Sequence, residues 1–480
     1  MSQSFSPASP APDRDGDLLQ ADVLIVGGGM VGLTAGVALA SAGFSVIALD
    51  RAPLDAQLDA AFDGRVSAIA AGSRRALEGI GLWNHVLAQG HVAEPIRDIR
   101  VSDGDSLAFV HYDSRALARD DSRALARDDS RALARDDSRA LARDDSRALA
   151  RDDSRALARD DSRARAETRQ EPEPFGHIVE NRTIRAALAA RAKELPNLTL
   201  LAPAELAGVV NGPSHALATL TDGRRIRAAL VVAAEGKESA LRAARGIAVT
   251  RWSYPQTAIV CTIAHERPHG GIAHERFLPV GPFAILPMTD DHDGRHRSSL
   301  VWTEKTALAP AYLALNKADF NAEVLRRVGD FLGRVESIGP RWSYPLSLLH
   351  AERYTDERLV LIGDAAHAIH PIAGQGLNLG LRDVAALAET LVDAKRLGLD
   401  IGFGEVLARY ERWRRFDNVL LAGITDGLNR LFSTSFTPLM LARRLGFRAV
   451  NRAGPLKTLF MRHAMGLVGE LPRLSRGEPL

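Results

Sequence analysis

The stretch from Val23 to Asp50 reads VLIVGGGMVGLTAGVALASAGFSVIALD, and its reading decides the fold. Val23–Val26 is a short apolar run of strand character. Gly27, Gly29 and Gly32 follow as G-x-G-x-x-G, with Gly36 further along. In a strand–turn–helix the first glycine permits a tight turn. The second lets the backbone approach a pyrophosphate, and the third lets the helix pack close to the strand. The start of that helix presents unsatisfied N–H groups and a partial positive charge to phosphates. Phe44–Leu49 is then a second strand. Asp50 lies 23 positions after Gly27, close to the roughly 20-residue offset at which a carboxylate meets a ribose hydroxyl. The glycines alone would be a weak signal. Strand, helix, second strand and terminal Asp together predict dinucleotide binding.

Val23 to Leu49 is also 27 residues without a charge, long enough to cross a bilayer. Six glycines, Thr34 and Ser41 interrupt it, and its parts differ in periodicity. The segment before it holds Asp13, Arg14, Asp15 and Asp17 and lacks the basic flank of a signal peptide. A membrane span is therefore disfavoured.

Working outward, a chain of 480 residues predicts two or three domains, or one large α/β body with an insert. The formal charge of +2 gives no argument for nucleic acid. Cys261 is the single cysteine, so an intrachain disulfide is excluded and a reducing, cytoplasmic setting fits. Residues 1–19, rich in Ser, Pro and Asp, read as a disordered leader.

After Asp50, the segment Asp63-Gly64-Arg65 precedes a helix expected from Gly72 to Ile80. Arg65 reads equally as a surface arginine or as a guanidinium that neutralises a pyrophosphate. Residues 96–112 read as strands joined by a turn. From Asp113 to Asp160 the octapeptide DSRALARD then occurs six times without variation. Its leucines advance by about 80° per repeat on an α-helix and form no stripe. Arginines every four residues place like charges on one another. The block, taken as residues 113–165, reads as a solvated insert, disordered or a single helix.

Order is expected again from Pro174, with a short strand and then a helix from Asn181 to Lys193 in which Asn181 and Thr183 are candidate caps. Asp222-Gly223 signals a hairpin. The strand Leu230–Ala234 runs into Glu235-Gly236-Lys237, a second strand–glycine turn. Residues 290–297 (DDHDGRHR) read as a polar turn rather than a metal site, because the spacing fits no ligand template. The tetrapeptide WSYP occurs at Trp252 and again at Trp342, with no evident mechanism. A third anchor is Leu359–Gly380. A buried strand delivers Gly363 and Asp364 at its carboxyl end, where α/β sheets bind ligands. Pro371 stops the chain, and Gly374 and Gly376 open a helix whose N-terminus can stabilise negative charge. Asp364 reads as functional, and His367 as a packing residue. Residues 421–480 read as helical and carry nine Lys or Arg against three Asp or Glu among apolar positions. This tail suits core packing, a dimer surface or an interfacial membrane contact.

Three separated motifs together resemble one family, the flavoprotein aromatic hydroxylases of the p-hydroxybenzoate hydroxylase fold. GGGMVGLTAGVALASAG is similar to its N-terminal FAD motif, and LVLIGDAAHAIHPIAGQGLNLGLRD (Leu359–Asp383) to its second. The latter, with FDGRVSAIAAGSRRAL and ERFLPVGPFAILPM (Glu275–Met288), looks most like the ubiquinone-biosynthesis subgroup. The resemblance covers residues 20 to 420 except the repeat. One departure is Glu235-Gly236, where family members usually carry Asp-Gly.

The resemblance implies an α/β fold: a Rossmann-like, three-layer FAD-binding domain interleaved with a mostly β-sheet substrate domain, plus a helical C-terminus. It places the FAD domain at 20–95, 174–250 and 350–420, and the substrate domain at 96–112 and 251–349. It implies FAD as cofactor, NAD(P)H as co-substrate bound without its own Rossmann domain, and O2 as the source of the oxygen atom inserted into a prenylated phenol. Gly27, Gly29, Gly32, Asp50 and Arg65 would hold the ADP half of FAD. Glu235 and Gly236 would contact FAD and the pyridine nucleotide, and Gly363 and Asp364 the ribityl-pyrophosphate region. Pro371, Gly374, Gln375, Gly376, Leu377 and Asn378 would border the isoalloxazine. No side chain stands out as a catalytic base. A prenylated substrate would suit peripheral contact at the inner membrane surface, a homodimer or a biosynthetic complex. A reductase or halogenase on the same fold, and a non-catalytic flavoprotein component, are the alternatives.

Overall fold

The computed structural model describes residues 18–59, 63–104, 109–117, 172–370, 374–432 and 454–480. Strand Leu18–Val26 turns into helix Met30–Ser41, which returns the chain as strand Val46–Leu49, parallel to the first, with Val23 opposite Val46 and Val26 opposite Leu49. The strand starts two residues inside the expected leader; residues 1–17 lie outside the described residues. Val46–Leu49 pairs in parallel with Leu198–Leu201. On the other side Leu18–Val26 pairs with Arg225–Ala233, and that strand with Leu359–Leu361, again in parallel. The Asp222-Gly223 signal closes an antiparallel hairpin between Ala216–Leu220 and Arg225–Ala233. These strands are near-continuous apolar runs because both faces of a parallel sheet are covered.

Helix Met30–Ser41 is buried from Gly32 to Ala40. A helix apolar on all sides must be covered on all sides. It lies against the sheet and packs on helices Asn181–Lys193 and Gln375–Arg396. That burial accounts for the missing charges that imitated a membrane span. At Gly380 a Cβ would fall 2.7 Å from Val31 Cγ2, so a bare backbone sets the spacing of two helices.

The second sheet is mostly antiparallel. Its strands run His367–Ala368, Val335–Ala351, Val249–His265, His296–Lys305, Gly281–Met288, Ile272–Leu278, Asp98–Asp103 and Phe109–Asp113. The two WSYP segments fall on its neighbouring strands Val249–His265 and Val335–Ala351. The DDHDGRHR turn is organised by Asp291, whose carboxylate accepts the Asp293 and Arg295 N–H groups at 3.0 and 2.9 Å. Among the described residues no cluster of three His, Cys, Asp or Glu could hold a metal.

A three-stranded sheet, Val66–Ala70, Gly176–Glu180 and Ala93–Ile96, joins the two large ones. The helix Asn181–Lys193 forms where expected, but neither Asn181 nor Thr183 caps it. Glu180 is the N-cap residue, without a side-chain bond. Asn181 is inside the helix, and its amide instead donates to Asp63 at 2.9 Å and accepts from Ser67 Oγ at 2.6 Å.

Only the first residues of the repeat are described, with Asp113 ending strand Phe109–Asp113; residues 118–171 lie outside. The expected boundary at 420/421 is crossed by one helix, Gly404–Phe432. Its inner face buries Val406, Leu407, Tyr410, Arg414, Asn418 and Leu421. Its outer face exposes Phe416, Val419, Leu420 and Ile424. No helix among the described residues is long and apolar enough to cross a membrane.

Candidate functional site

A cavity of about 940 Å³ opens between the parallel sheet and the second sheet. Its two ends differ in chemistry. One end is built from turns and helix starts. Gly27 has φ +106°, and a Cβ there would fall 2.4 Å from the Ala234 carbonyl oxygen. At Gly32 a Cβ would come within 1.8 Å of the Gly27 oxygen. Neither position admits a side chain, because the helix start is drawn tightly onto the turn. At Gly29, by contrast, a Cβ would meet nothing within 4 Å. That bare face lines the cavity, and the helix behind it has no side-chain cap and no acid in its first turn.

The second helix start repeats the arrangement. Gly374, at φ +62°, is the N-cap of Gln375–Arg396, again without a side-chain cap or a first-turn acid. Gly374, Gln375, Gly376, Leu377 and Asn378 all line the cavity. The Asn378 amide is occupied by the protein itself. It accepts the Ala70 N–H at 2.9 Å and donates to Ala68 and Gly374 oxygens at 2.7 and 3.1 Å, so it staples the helix start to strand Val66–Ala70. Pro371 lies outside the described residues.

Arg65 lines the cavity between these two helix starts. Asp63 accepts its Nε at 2.8 Å and its Nη2 at 3.0 Å, and the guanidinium stacks 4.6 Å from the centre of the Tyr344 ring. Asp63 is itself buried and bonded by Arg185 at 2.7 Å. Burial would raise its carboxyl, but the Arg65, Arg185 and Asn181 bonds outweigh burial and hold it far below the usual range. The second WSYP copy backs this loop: Tyr344 supports Arg65, and Trp342 occupies the space a Gly64 side chain would need. The position of Arg65 is set by Asp63 two residues before it and by Arg185 and Tyr344, more than a hundred positions away.

Asp364 and Lys237 complete the polar end. Asp364 is walled in by protein, and its exposed surface opens on the cavity. Burial raises its carboxyl above the ordinary value, against the pull of Lys237, His367 and Arg65. Gly236 also lines the cavity, whereas Glu235 does not. The Glu235 carboxylate turns to the short helix Ala240–Ala244, accepting Ser239 Oγ at 2.5 Å and the Leu241 N–H at 3.1 Å. Asp50 ends strand Val46–Leu49 beside the glycine turn. One carboxylate oxygen accepts the Ala52 N–H at 2.8 Å, and the other lies 3.2 Å from where a Gly28 Cβ would sit. Gly363, at φ +57°, turns the backbone that carries Asp364, without lining the cavity itself.

The other end of the cavity is a face of the second sheet. Val101, Glu275, Ala284 and Val301 form one row across four strands, with Val110 and Val260 at its ends. Tyr112, Ile99, Ala273, Leu286 and Ser299 form the next row, and Leu428, Leu431 and Phe432 reach it from helix Gly404–Phe432. Glu275, Tyr112, Ser299, Thr303 and Lys237 were not identified as site residues from the sequence. Strand register could have found the first four, since period-2 alternation places 299, 301 and 303 on one face; Lys237 lies in the turn after Gly236.

Two uncapped helix starts, a guanidinium and a lysine in one long cavity fit a dinucleotide with its diphosphate; the apolar far end fits a ring and its substituents. Residues 20–415 match a family model described as FAD binding domain. The chain belongs to this family. FAD is therefore its cofactor, and the motif resemblance holds. The chain is 48% identical over 463 residues to the ubiquinone hydroxylase UbiL of Rhodospirillum rubrum, covering 96% of this chain and 94% of that one. It is 32% identical over 447 residues to the 3-demethoxyubiquinol 3-hydroxylase of Escherichia coli, covering 93% of this chain and 98% of that one. Among solved structures, the p-nitrophenol 4-monooxygenase PnpA of Pseudomonas putida superposes with a TM-score of 0.67 at 18% identity, over 95% of this chain and 99% of the other, which is a likeness of fold.

Proposed function

We propose that the protein is an NAD(P)H-dependent flavin monooxygenase that hydroxylates the ring of a phenol carrying an apolar chain, in ubiquinone biosynthesis. The observation that carries this reading is the joining, in one cavity, of a diphosphate cradle at Gly29 and Arg65 and a second uncapped helix start at Gly374 to an apolar sheet face large enough for an aromatic ring. The names of the two relatives support the substrate class. When bound, FAD supplies reduction by NAD(P)H and transfer of one atom of O2 to the ring.

The chain's residues position and enclose. The Met30–Ser41 helix start and Arg65 bind the diphosphate, and Asp50 offers its free oxygen to a ribose hydroxyl. The start of Gln375–Arg396 directs partial positive charge at the ring end of the cofactor. The valines, Ala284 and Leu286 of the sheet face exclude water from the reacting ring.

The tail of the substrate has an exit. Leu428, Leu431 and Phe432 line the cavity, and the outward stripe Phe416, Val419, Leu420 and Ile424 continues along the same helix with Arg412 and Arg415 at its start. This stripe suits contact with a lipid surface, at which a prenylated phenol could be collected.

The test is reduction of bound FAD by NADPH, screened against prenylated phenols, with product analysis under labelled O2. Incorporation of one labelled atom into the ring is expected. Ring products without label, or no phenol-stimulated bleaching of the flavin, would overturn the reading.

A further inference from the structure

The apolar end of the cavity contains one side chain that does not belong to an apolar wall. Glu275 sits near the middle of its row, with Val101 on one neighbouring strand and Ala284 on the other. The rows on either side present Ala273 and Phe277. Across the cavity the helices contribute Leu428, Leu431, Phe432 and Phe460. Along the strand, His274 also lines the cavity, with its ring against Phe331, and Arg276 donates to the Arg327 carbonyl. Among the described residues nothing donates to the Glu275 carboxyl and no cation pairs with it. Tyr112 is the other titratable group on this face, and it lies one row away.

A carboxyl without a partner in such a place is costly unless a ligand meets it. Two more polar groups in the same wall are also unmet. Ser299 and Thr303 line the cavity on rows flanking that of Glu275, are 1% and 2% exposed, and their hydroxyl oxygens have no hydrogen-bond partner. Both hydroxyl oxygens are sealed behind the wall, whereas Glu275 keeps exposed surface, so of the three the acid is the group a ligand can reach.

We infer that Glu275 is the group that receives the phenolic hydroxyl of the substrate and takes its proton. This inference rests on the proposed hydroxylase reading. In the step, the phenol O–H bond breaks, the proton passes to a Glu275 carboxylate oxygen, and the electron pair stays on the phenolic oxygen. The ring carbons ortho and para to it thereby become more electron-rich, as transfer of an electrophilic oxygen requires. On rearomatisation the ring carbon loses its proton to water, and Glu275 returns its own to solvent with product release.

The environment suits the task. Burial pushes the Glu275 carboxyl up to about 8, with no neighbouring charge contributing. That brings it toward a phenol, whose ordinary value is about 10, and makes it a stronger base than an exposed carboxylate. No such group was visible in the sequence, because with polar His274 and Arg276 on either side, Glu275 does not read as one position of the apolar face made by Ala273 and Phe277.

The test compares the FAD-loaded wild type with Glu275→Gln, which keeps the shape and cannot take a proton, and with Glu275→Asp. Expected for Glu275→Gln are unchanged flavin content, unchanged substrate KM within a few-fold, and a kcat for ring product lower by roughly 10²–10⁴-fold. Oxidation of NADPH should become uncoupled from product. The loss should shrink as ring substituents make the phenol more acidic, and Glu275→Asp should recover part of the rate. Independently of turnover, a chromophoric phenol bound to the wild type should ionise at a pH different from that in Glu275→Gln, read by its absorbance. Equal turnover and equal phenol ionisation in wild type and Glu275→Gln would overturn the assignment while leaving the hydroxylase reading intact. A wild type that hydroxylates no phenol would overturn the reading and this inference with it.

Discussion

Asp383 is bonded to His367, with 2.5 Å between Oδ2 and Nε2, and both side chains are almost wholly buried. The same carboxylate accepts the Gly363 N–H at 3.0 Å and Arg414 Nε at 2.9 Å. One acid therefore ties the turn that carries Asp364, the edge strand His367–Ala368, and the helices Gln375–Arg396 and Gly404–Phe432. The Asp that closes the second FAD motif acts here from behind the cofactor cavity, by holding its wall.

Replacing Asp383 with Asn leaves buried Arg414 with Asp417 as its remaining counter-charge, so the loss should fall short of the about 3–5 kcal/mol that breaking an isolated buried pair costs. Thermal or denaturant unfolding should show that loss. Burial would raise the Asp383 carboxyl, but His367 and Arg414 outweigh it and lower it from 3.8 to about 2. A depressed folded value means that the stabilisation is complete above the unfolded value and is lost as pH falls from 3.8 through about 2. The wild type should lose this increment of stability over that acid window, and D383N should not.

Gly32→Ala and Gly29→Ala separate packing from binding. At Gly32 the new methyl would strike the Gly27 carbonyl oxygen, so the variant should lose about 1–3 kcal/mol or more of stability and its flavin together. At Gly29 the backbone is compatible with alanine, with φ −65°, and no protein atom lies near. G29A should fold with unchanged stability and bind FAD more weakly. An equal loss of stability in both variants would contradict the assignment of the open face to the diphosphate.

Asn378→Ala removes three bonds between helix Gln375–Arg396 and its surroundings. Leaving those backbone groups unpaired costs about 1–3 kcal/mol per group at most. Asn378→Asp should be worse than a simple deletion of the donor, because a carboxylate would then face the Ala68 and Gly374 oxygens. Flavin release on mild denaturation should rank wild type below N378A and N378A below N378D.

The outward stripe on Gly404–Phe432 bears on the membrane reading. Phe416 is 72% and Leu420 51% exposed, so serine at both should leave the folded state almost unchanged. If these side chains enter a bilayer surface, each is worth about 1.5–3 kcal/mol there. The double variant should then bind anionic vesicles at least about tenfold more weakly in sedimentation. Equal binding by wild type and variant would remove the stripe from the membrane contact.

Much of the cofactor end was legible because it is local. The turn at Gly27, the bare face at Gly29 and the helix start at Gly374 are each decided within a few residues by steric rules that act on the backbone. Arg65 was ambiguous in its local sequence and named only through the family resemblance, since its placement depends on Arg185 and Tyr344 from distant segments as well as on neighbouring Asp63. The Asn181 cap expectation failed for a related reason: Asp63 and Ser67 offered the amide stronger partners than its own helix. Glu235 shows the same competition, with Ser239 and the Leu241 N–H holding a carboxylate that the motif assigned to the cofactor. The repeated WSYP had no local meaning; its second copy acquired one when Tyr344 and Trp342 came to lie against Arg65 and Gly64.

The sequence by itself determined the βαβ unit, the two glycine turns and the FAD class, because glycine spacing, apolar runs and a strand-end acid act over short range. Tertiary structure decided which charged groups face the cavity and which face the protein, and it alone assembled the apolar wall around Glu275. That wall is made by the register of strands far apart in the chain, and register depends on side chains meeting across a sheet.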